Sequence, residues 1–214
     1  MLAVKARPAA LPPNPWGDRL RRRVGVLGGS FNPAHAGHRH VSLMALRRLA
    51  LDEVWWLVTP QNPLKPVAGM APKEQRLASA QAVARHPRIR VTLMEERLGT
   101  RYTADTLRAL ARRFPRTRFV WLMGADNLQQ IPQWDRWARI FRSVAIAVFD
   151  RSPYSYKSLA GKAAQRFARC RVAAGRSGRV AELTPPAWVF LHMRRHPASA
   201  TAIRRHGSRA GFPV

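Results

Sequence analysis

The sequence predicts an α/β fold: a doubly wound, mostly parallel sheet with helices on both faces. Three observations carry it. Short apolar runs alternate with longer segments of helical periodicity, the rhythm of β-α-β units. The longest apolar runs, around 54–58 and 144–149, have the length of buried strands. A glycine pair closes the first run, at the carboxyl end of a strand, where such sheets bind ligands near the switch in strand order.

Taken in order, "VGVL" (24–27) is a short apolar strand, and Val41, Leu43, Met44, Leu46 and Leu49 give 37–50 an apolar helical face. "EVWWLVT" (53–59) is a second strand, followed by the Pro-rich loop "QNPLKPVAGMAP". Residues 72–86 form a helix that opens with Pro72 near its first turn. "RIRVTLM" (88–94) is a third strand, 103–114 a helix and "TRFVWLMG" (117–124) a fourth strand. After "IPQWDRWARIF" come a fifth strand, "SVAIAVFD" (143–150), a helix near 155–168 and a late strand, "WVFLHM" (188–193). No internal repeat interrupts the pattern.

The 214 residues suffice for one domain with a full core. We divide them into a flexible, basic, Pro/Arg-rich tail (1–21) and a single folded domain (22–214). The tail lacks the apolar stretch of a secretory signal, and no run of about eighteen uncharged apolar residues occurs anywhere, so no membrane partner is expected. The single Cys170 rules out an internal disulfide and fits a reducing, cytoplasmic setting. The net charge is +27, and only five of the 38 basic residues are lysines. Such a balance draws polyanions and phosphate-bearing small molecules. The arginines are scattered and no aromatic-basic RNA signature accompanies them, so no specific nucleic acid is expected. A homo-oligomer is compatible with the sequence.

The richest stretch is "GGSFNPAHAGH" (28–38). Gly28 and Gly29 permit a sharp turn and close approach of backbone to a ligand. The helix that follows offers unpaired N–H groups and the positive end of its dipole to an anion. The stretch is not G-x-G-x-x-G, and "AGKA" (160–163) is not a Walker loop. His35, His38 and His40 lack the further nitrogen, sulfur or carboxylate ligands that zinc takes, so no metal site is expected; one or both could equally be structural caps.

"GGSFNPAHAGH" resembles the (H/T)-x-G-H signature of the nucleotidyltransferase superfamily, and "SATAIR" (199–204) its S-x-T-x-x-R signature. "QNPLK" (61–65), "RYTADTL" (101–107), "LMGADNL" (122–128) and "PQWDRW" (132–137) resemble the bacterial nicotinate-nucleotide adenylyltransferases. The resemblance runs from about Val24 to Arg204. It implies a Rossmann-like sheet and transfer of AMP from ATP to nicotinate mononucleotide, giving deamido-NAD and pyrophosphate in NAD biosynthesis. One departure is Asn32, where many relatives carry Asp.

The resemblance also implies roles. His35, His38, Lys65 and Arg204 would stabilise charge on the reacting phosphates. His38 would donate to the α-phosphate, and Arg204 would offer a planar fork to β- or γ-oxygens. Gly28, Gly29, Ser30, Phe31, Gly124, Asp126, Ser199 and Thr201 would line the ATP site, with Asp126 on a ribose hydroxyl. Trp134 would stack on the pyridine ring, and the backbone around Thr103 would receive the nicotinate carboxylate. Mg²⁺ would arrive with ATP, held by phosphates and water more than by protein.

Overall fold

Each apolar run becomes a strand of one sheet in the computed structural model, which describes residues 10–60, 69–150 and 155–193. Its strands are β1 (Arg22–Gly29), β2 (Glu53–Val58), β3 (Ile89–Thr92), β4 (Thr117–Gly124), β5 (Ala145–Asp150), β6 (Arg171–Val172) and β7 (Trp188–His192). They lie in the order β3-β2-β1-β4-β5-β7-β6, and every pairing is parallel. The expected sheet was mostly parallel; the described one is wholly so. The chain winds outward from β1 to β3, then returns to lay β4 on the other side of β1. The switch in strand order therefore falls between β1 and β4.

Burial on both faces explains the unbroken apolar runs. Trp55 and Trp56, adjacent in β2, are both fully buried yet enter different cores. Trp55 packs with Phe114, Trp121 and Met123 on one face, while Trp56 packs with Phe31, Leu46 and Leu49 on the other. The helices that cover these faces are α1 (Ala36–Arg48), α2 (Lys73–Ala84), α3 (Met94–Leu98), α4 (Thr103–Arg113), α5 (Ala125–Gln130), α6 (Trp137–Ser143), α7 (Ser155–Leu159) and α8 (Lys162–Arg166). Among the described residues no helix is long and apolar enough to cross a membrane.

The differences from expectation are local. The third strand stops at Thr92, and Met94 and Glu95 turn inward as the start of α3, which Gly99 ends in the left-handed conformation at φ 63°. The helix expected over 155–168 divides at Gly161 into α7 and α8. Residues 10–21, the described part of the segment read as a tail, are tied to β3 and α4 at a few points. Ala10 bridges Arg90 of β3 in parallel, the Arg90 guanidinium donates to the Leu11 carbonyl at 2.8 Å, and Arg113 donates to the Pro15 carbonyl.

Candidate active site

Gly28 and Gly29 are the last two residues of β1, and both remain in the strand. The sharp turn comes two residues later, at Phe31, whose φ of 47° lies in the left-handed region, followed by a cis Asn32–Pro33 bond. What Gly28 provides is room: a Cβ there would stand 2.5 Å from the Trp121 ring of β4. The Phe31 ring is 2 % exposed and stacks on Trp56 at 5.0 Å, with the His38 ring 4.8 Å away. The ring of Phe31 thus packs between Trp56 and His38 and supports the His38 imidazole.

His35 and His38 open α1 as a reciprocal cap. The Gly37 N–H donates to His35 Nδ1 at 3.1 Å, and the His35 N–H donates to His38 Nδ1 at 3.2 Å. This is the logic of a capping box, executed by imidazoles where Ser/Thr and Glu/Gln normally serve. The two rings lie 3.8 Å apart, His35 7 % exposed and His38 half-buried. Each Nδ1 accepts from backbone, so a neutral imidazole here carries its proton on Nε2. Ser42 and Trp56 complete the support: Ser42 Oγ donates to the His38 carbonyl at 2.9 Å and accepts from Trp56 Nε1 at 2.7 Å.

A buried arginine ties this elbow to its surroundings. Arg76 of α2 is 3 % exposed and donates to the carbonyls of Ser30 (2.8 Å), Thr59 (2.8 Å), Pro60 (3.0 Å) and Ala71 (3.0 Å). Asn32 adds to the tie: its Nδ2 donates to the Gly69 carbonyl at 2.8 Å, and its Oδ1 accepts from the Ala71 N–H at 3.1 Å. An Asp at this position could accept the second bond but could not donate the first.

Across the switch point, β4 ends at Gly124, which serves as N-cap of α5, and Asp126 sits half-buried in the first turn. Trp121 reaches from the Gly28 backbone to Trp134, whose ring it meets edge-on at 6.4 Å. Trp134 is half-buried and follows the turn of 3₁₀ helix at Ile131–Gln133. Thr103 is the first residue of α4, so its N–H and that of Ala104 belong to the set that a helix leaves unpaired at its start. Below this turn Glu95 is 4 % exposed and accepts from Thr106 Oγ1 at 3.4 Å. Burial pushes its carboxyl up to about 7, against the pull of the Thr106 hydrogen bond.

The structure thus brings Gly28, Gly29, Ser30, Phe31, His35, His38, Gly124 and Asp126 to the carboxyl ends of β1 and β4. Lys65, Ser199, Thr201 and Arg204 lie outside the described residues. Among the described residues no group of three or more His, Cys, Asp or Glu could hold a metal ion.

Residues 26–206 match the model of the cytidylyltransferase-like family. A Parvibaculum lavamentivorans protein named a probable nicotinate-nucleotide adenylyltransferase is 55 % identical over 185 residues, covering 86 % of this chain and 92 % of that one. One from Cereibacter sphaeroides with the same name is 54 % identical and covers 86 % and 97 %. The chain belongs to the nicotinate-nucleotide adenylyltransferase family. A Plasmodium falciparum nicotinic acid mononucleotide adenylyltransferase, solved with NaAD, shares the fold with a TM-score of 0.65 at 15 % identity, covering 86 % of this chain and 83 % of that one.

Within the adenylyltransferase frame, sequence reasoning passed over Arg76, Glu95, Trp121 and Arg136. For Arg76 a signal existed: it falls on one helical stripe with the buried Ala80 and Ala84, at spacings of four. An arginine on an apolar stripe has to find acceptors inside. The carbonyls around the elbow supply them.

Proposed function

We propose that the chain transfers the adenylyl group of ATP to nicotinate mononucleotide, forming deamido-NAD and pyrophosphate. The observation that carries this reading is the His35–His38 cap at the mouth of α1, beside the β1/β4 switch point. The nucleophile is the phosphate of the mononucleotide. Its second pKa is near ~6, so at neutral pH it is largely dianionic and needs no general base. It attacks the α-phosphorus in line; the new P–O bond forms as the bond to pyrophosphate breaks, and the electron pair leaves on pyrophosphate. The protein's task is alignment and stabilisation of charge.

His38 donates from Nε2 to the α-phosphate, and His35 donates toward the phosphates from deeper in the mouth of α1. The dipole of this 13-residue helix adds to both. Lys65 and Arg204 act on the same charge, with Ser199 and Thr201 supplying hydroxyls. The backbone from Gly28 to Phe31, with Gly124 and Asp126, lines the ATP side. Mg²⁺ would come with ATP and would supply charge neutralisation on the phosphates; Asp126 and the two histidines are too few to cage it, which suits an ion carried by phosphate and water. On the other side Trp134 stacks on the pyridine ring and the α4 N-terminus receives its carboxylate. The single cysteine suits work in the reducing cytoplasm.

The test is a pyrophosphate assay of purified protein with MgATP and a panel of mononucleotides. Turnover with nicotinate mononucleotide is expected. Release of pyrophosphate with none of the panel, or only with a non-pyridine acceptor, would overturn the reading.

A further inference from the structure

Arg136 is the residue between Asp135 and Trp137 in "PQWDRW", and it holds an uncommon backbone conformation, φ 47° and ψ 35°. From there its guanidinium reaches α4. Nη1 and Nη2 donate to the two carboxylate oxygens of Asp105 at 3.1 and 2.5 Å, while Nε donates to Asp135 at 2.5 Å. Asp105 lies two residues after Thr103, in the first turn of α4, and its Oδ1 also accepts from Arg108 at 3.2 Å. Arg136 lies two residues after Trp134, and the Trp137 N–H bonds the Trp134 carbonyl at 3.2 Å.

We infer that the Asp105–Arg136 pair is a positioning clamp for the pyridine pocket, fixing the Trp134 loop against the α4 N-terminus. The inference rests on the function proposed above. The two walls of that pocket come from elements 31 residues apart in sequence at this contact. Stacking fixes the plane of the ring and the helix start fixes its carboxylate, so both act together only if their separation is held. A fork-to-carboxylate contact supplies fixed geometry as well as attraction, which one ammonium cannot. The left-handed backbone at Arg136 points the same way: it costs about 1 kcal/mol or more in a non-glycine residue and persists where surrounding contacts enforce it. The pair is partly open to water, with side chains 38 % and 23 % exposed, so its worth lies in geometry more than in stability.

The test compares the unaltered chain with Arg136→Gln, Arg136→Lys, Asp105→Asn and the double variant Asp105→Asn/Arg136→Gln. We expect Arg136→Gln to raise KM for nicotinate mononucleotide roughly tenfold while KM for ATP stays within about twofold, the signature of lost uniform binding on one substrate. Arg136→Lys should recover only part of the loss. The double variant should be no worse than the more impaired single, because two members of one contact do not add. Equal rises in both KM values, unchanged KM for the mononucleotide, or additive losses would each overturn the clamp. Turnover by the unaltered chain tests the underlying reading separately; its absence would remove both.

Discussion

The guanidinium of Arg76 donates to the carbonyl of Ser30 at 2.8 Å, joining α2 to the elbow between β1 and α1 across 46 positions of sequence. The same side chain holds Thr59, Pro60 and Ala71, so one buried cation fixes the exits of β1 and β2 and the approach to its own helix. Arg76→Met would leave these carbonyls without their donor at a cost of about 2–4 kcal/mol, since hydrogen bonds to charged groups are the stronger kind. Arg76→Lys keeps the charge but cannot span four acceptors, and should also raise KM for ATP through a loosened elbow. Urea midpoints and initial rates check both. An unchanged midpoint for Arg76→Met would contradict the assignment.

His38 carries two roles that one pair of variants can separate. His38→Ala should lower kcat by about 10²–10³-fold, the range for loss of one preorganised donor. It should also cost about 1 kcal/mol of stability, because the His35 N–H loses its acceptor. His38→Gln places the side chain favoured at the third position of a capping box, so it should restore melting temperature while leaving kcat depressed. Full recovery of both by Gln would show that capping alone matters.

Glu95 makes stability depend on pH. Its carboxyl ordinarily titrates at 4.5 and in the folded chain at about 7. Between these values the folded state holds a proton that the unfolded state has released, so stability falls as pH rises through this window and levels off above it. The contribution is about 3 kcal/mol, at about 1.4 kcal/mol per pH unit. Glu95→Gln should remove this component and gain most over the parent above pH 7. Thermal melts of both proteins from pH 5 to 8 measure it. Parallel curves would mean that Glu95 does not titrate there.

A preference for the acid over the amide mononucleotide is expected from the polarity of the α4 N-terminus. A carboxylate only accepts, which suits the N–H groups of Thr103 and Ala104, whereas an amide must rotate to present its carbonyl. A site built on such pairing can discriminate by up to about 10⁴–10⁵, and the rotation should hold the value nearer 10². Trp134→Ala should weaken both substrates alike, because stacking is shared. The ratio of kcat/KM values decides it, and equal values would sink the acid assignment.

The sheet was legible because continuous apolar runs such as "VWWLV" have few other destinations. The elements that escaped are short and held by tertiary contacts. The third strand, read through Met94, overran because nothing in "VTLM" signals a boundary; Met94, drawn inward, instead opens α3. The elbow was legible in place but not in detail. The glycines advertise a turn that Phe31 makes, since its ring gains burial against Trp56 and His38 that offsets the strain of positive φ. The histidines were legible as cap candidates but not as a reciprocal pair, because their residue types are not those of a capping box. Arg136 escaped for another reason: a surface arginine looks like any other until its partner, 31 residues away, is in place.

The segment laid along β3 has a consequence for the molecule's company. An outermost strand offers its backbone to any passing chain, and natural sheets blunt such rims with short strands, prolines and charge. Here β3 has four residues, and alongside it Ala10 is followed by Leu11, Pro12 and Pro13, two of which have no N–H to extend pairing. The opposite rim, β6, is two residues long. A chain trimmed back to Asn14 would uncover β3 and should associate at concentrations where the longer one stays dispersed.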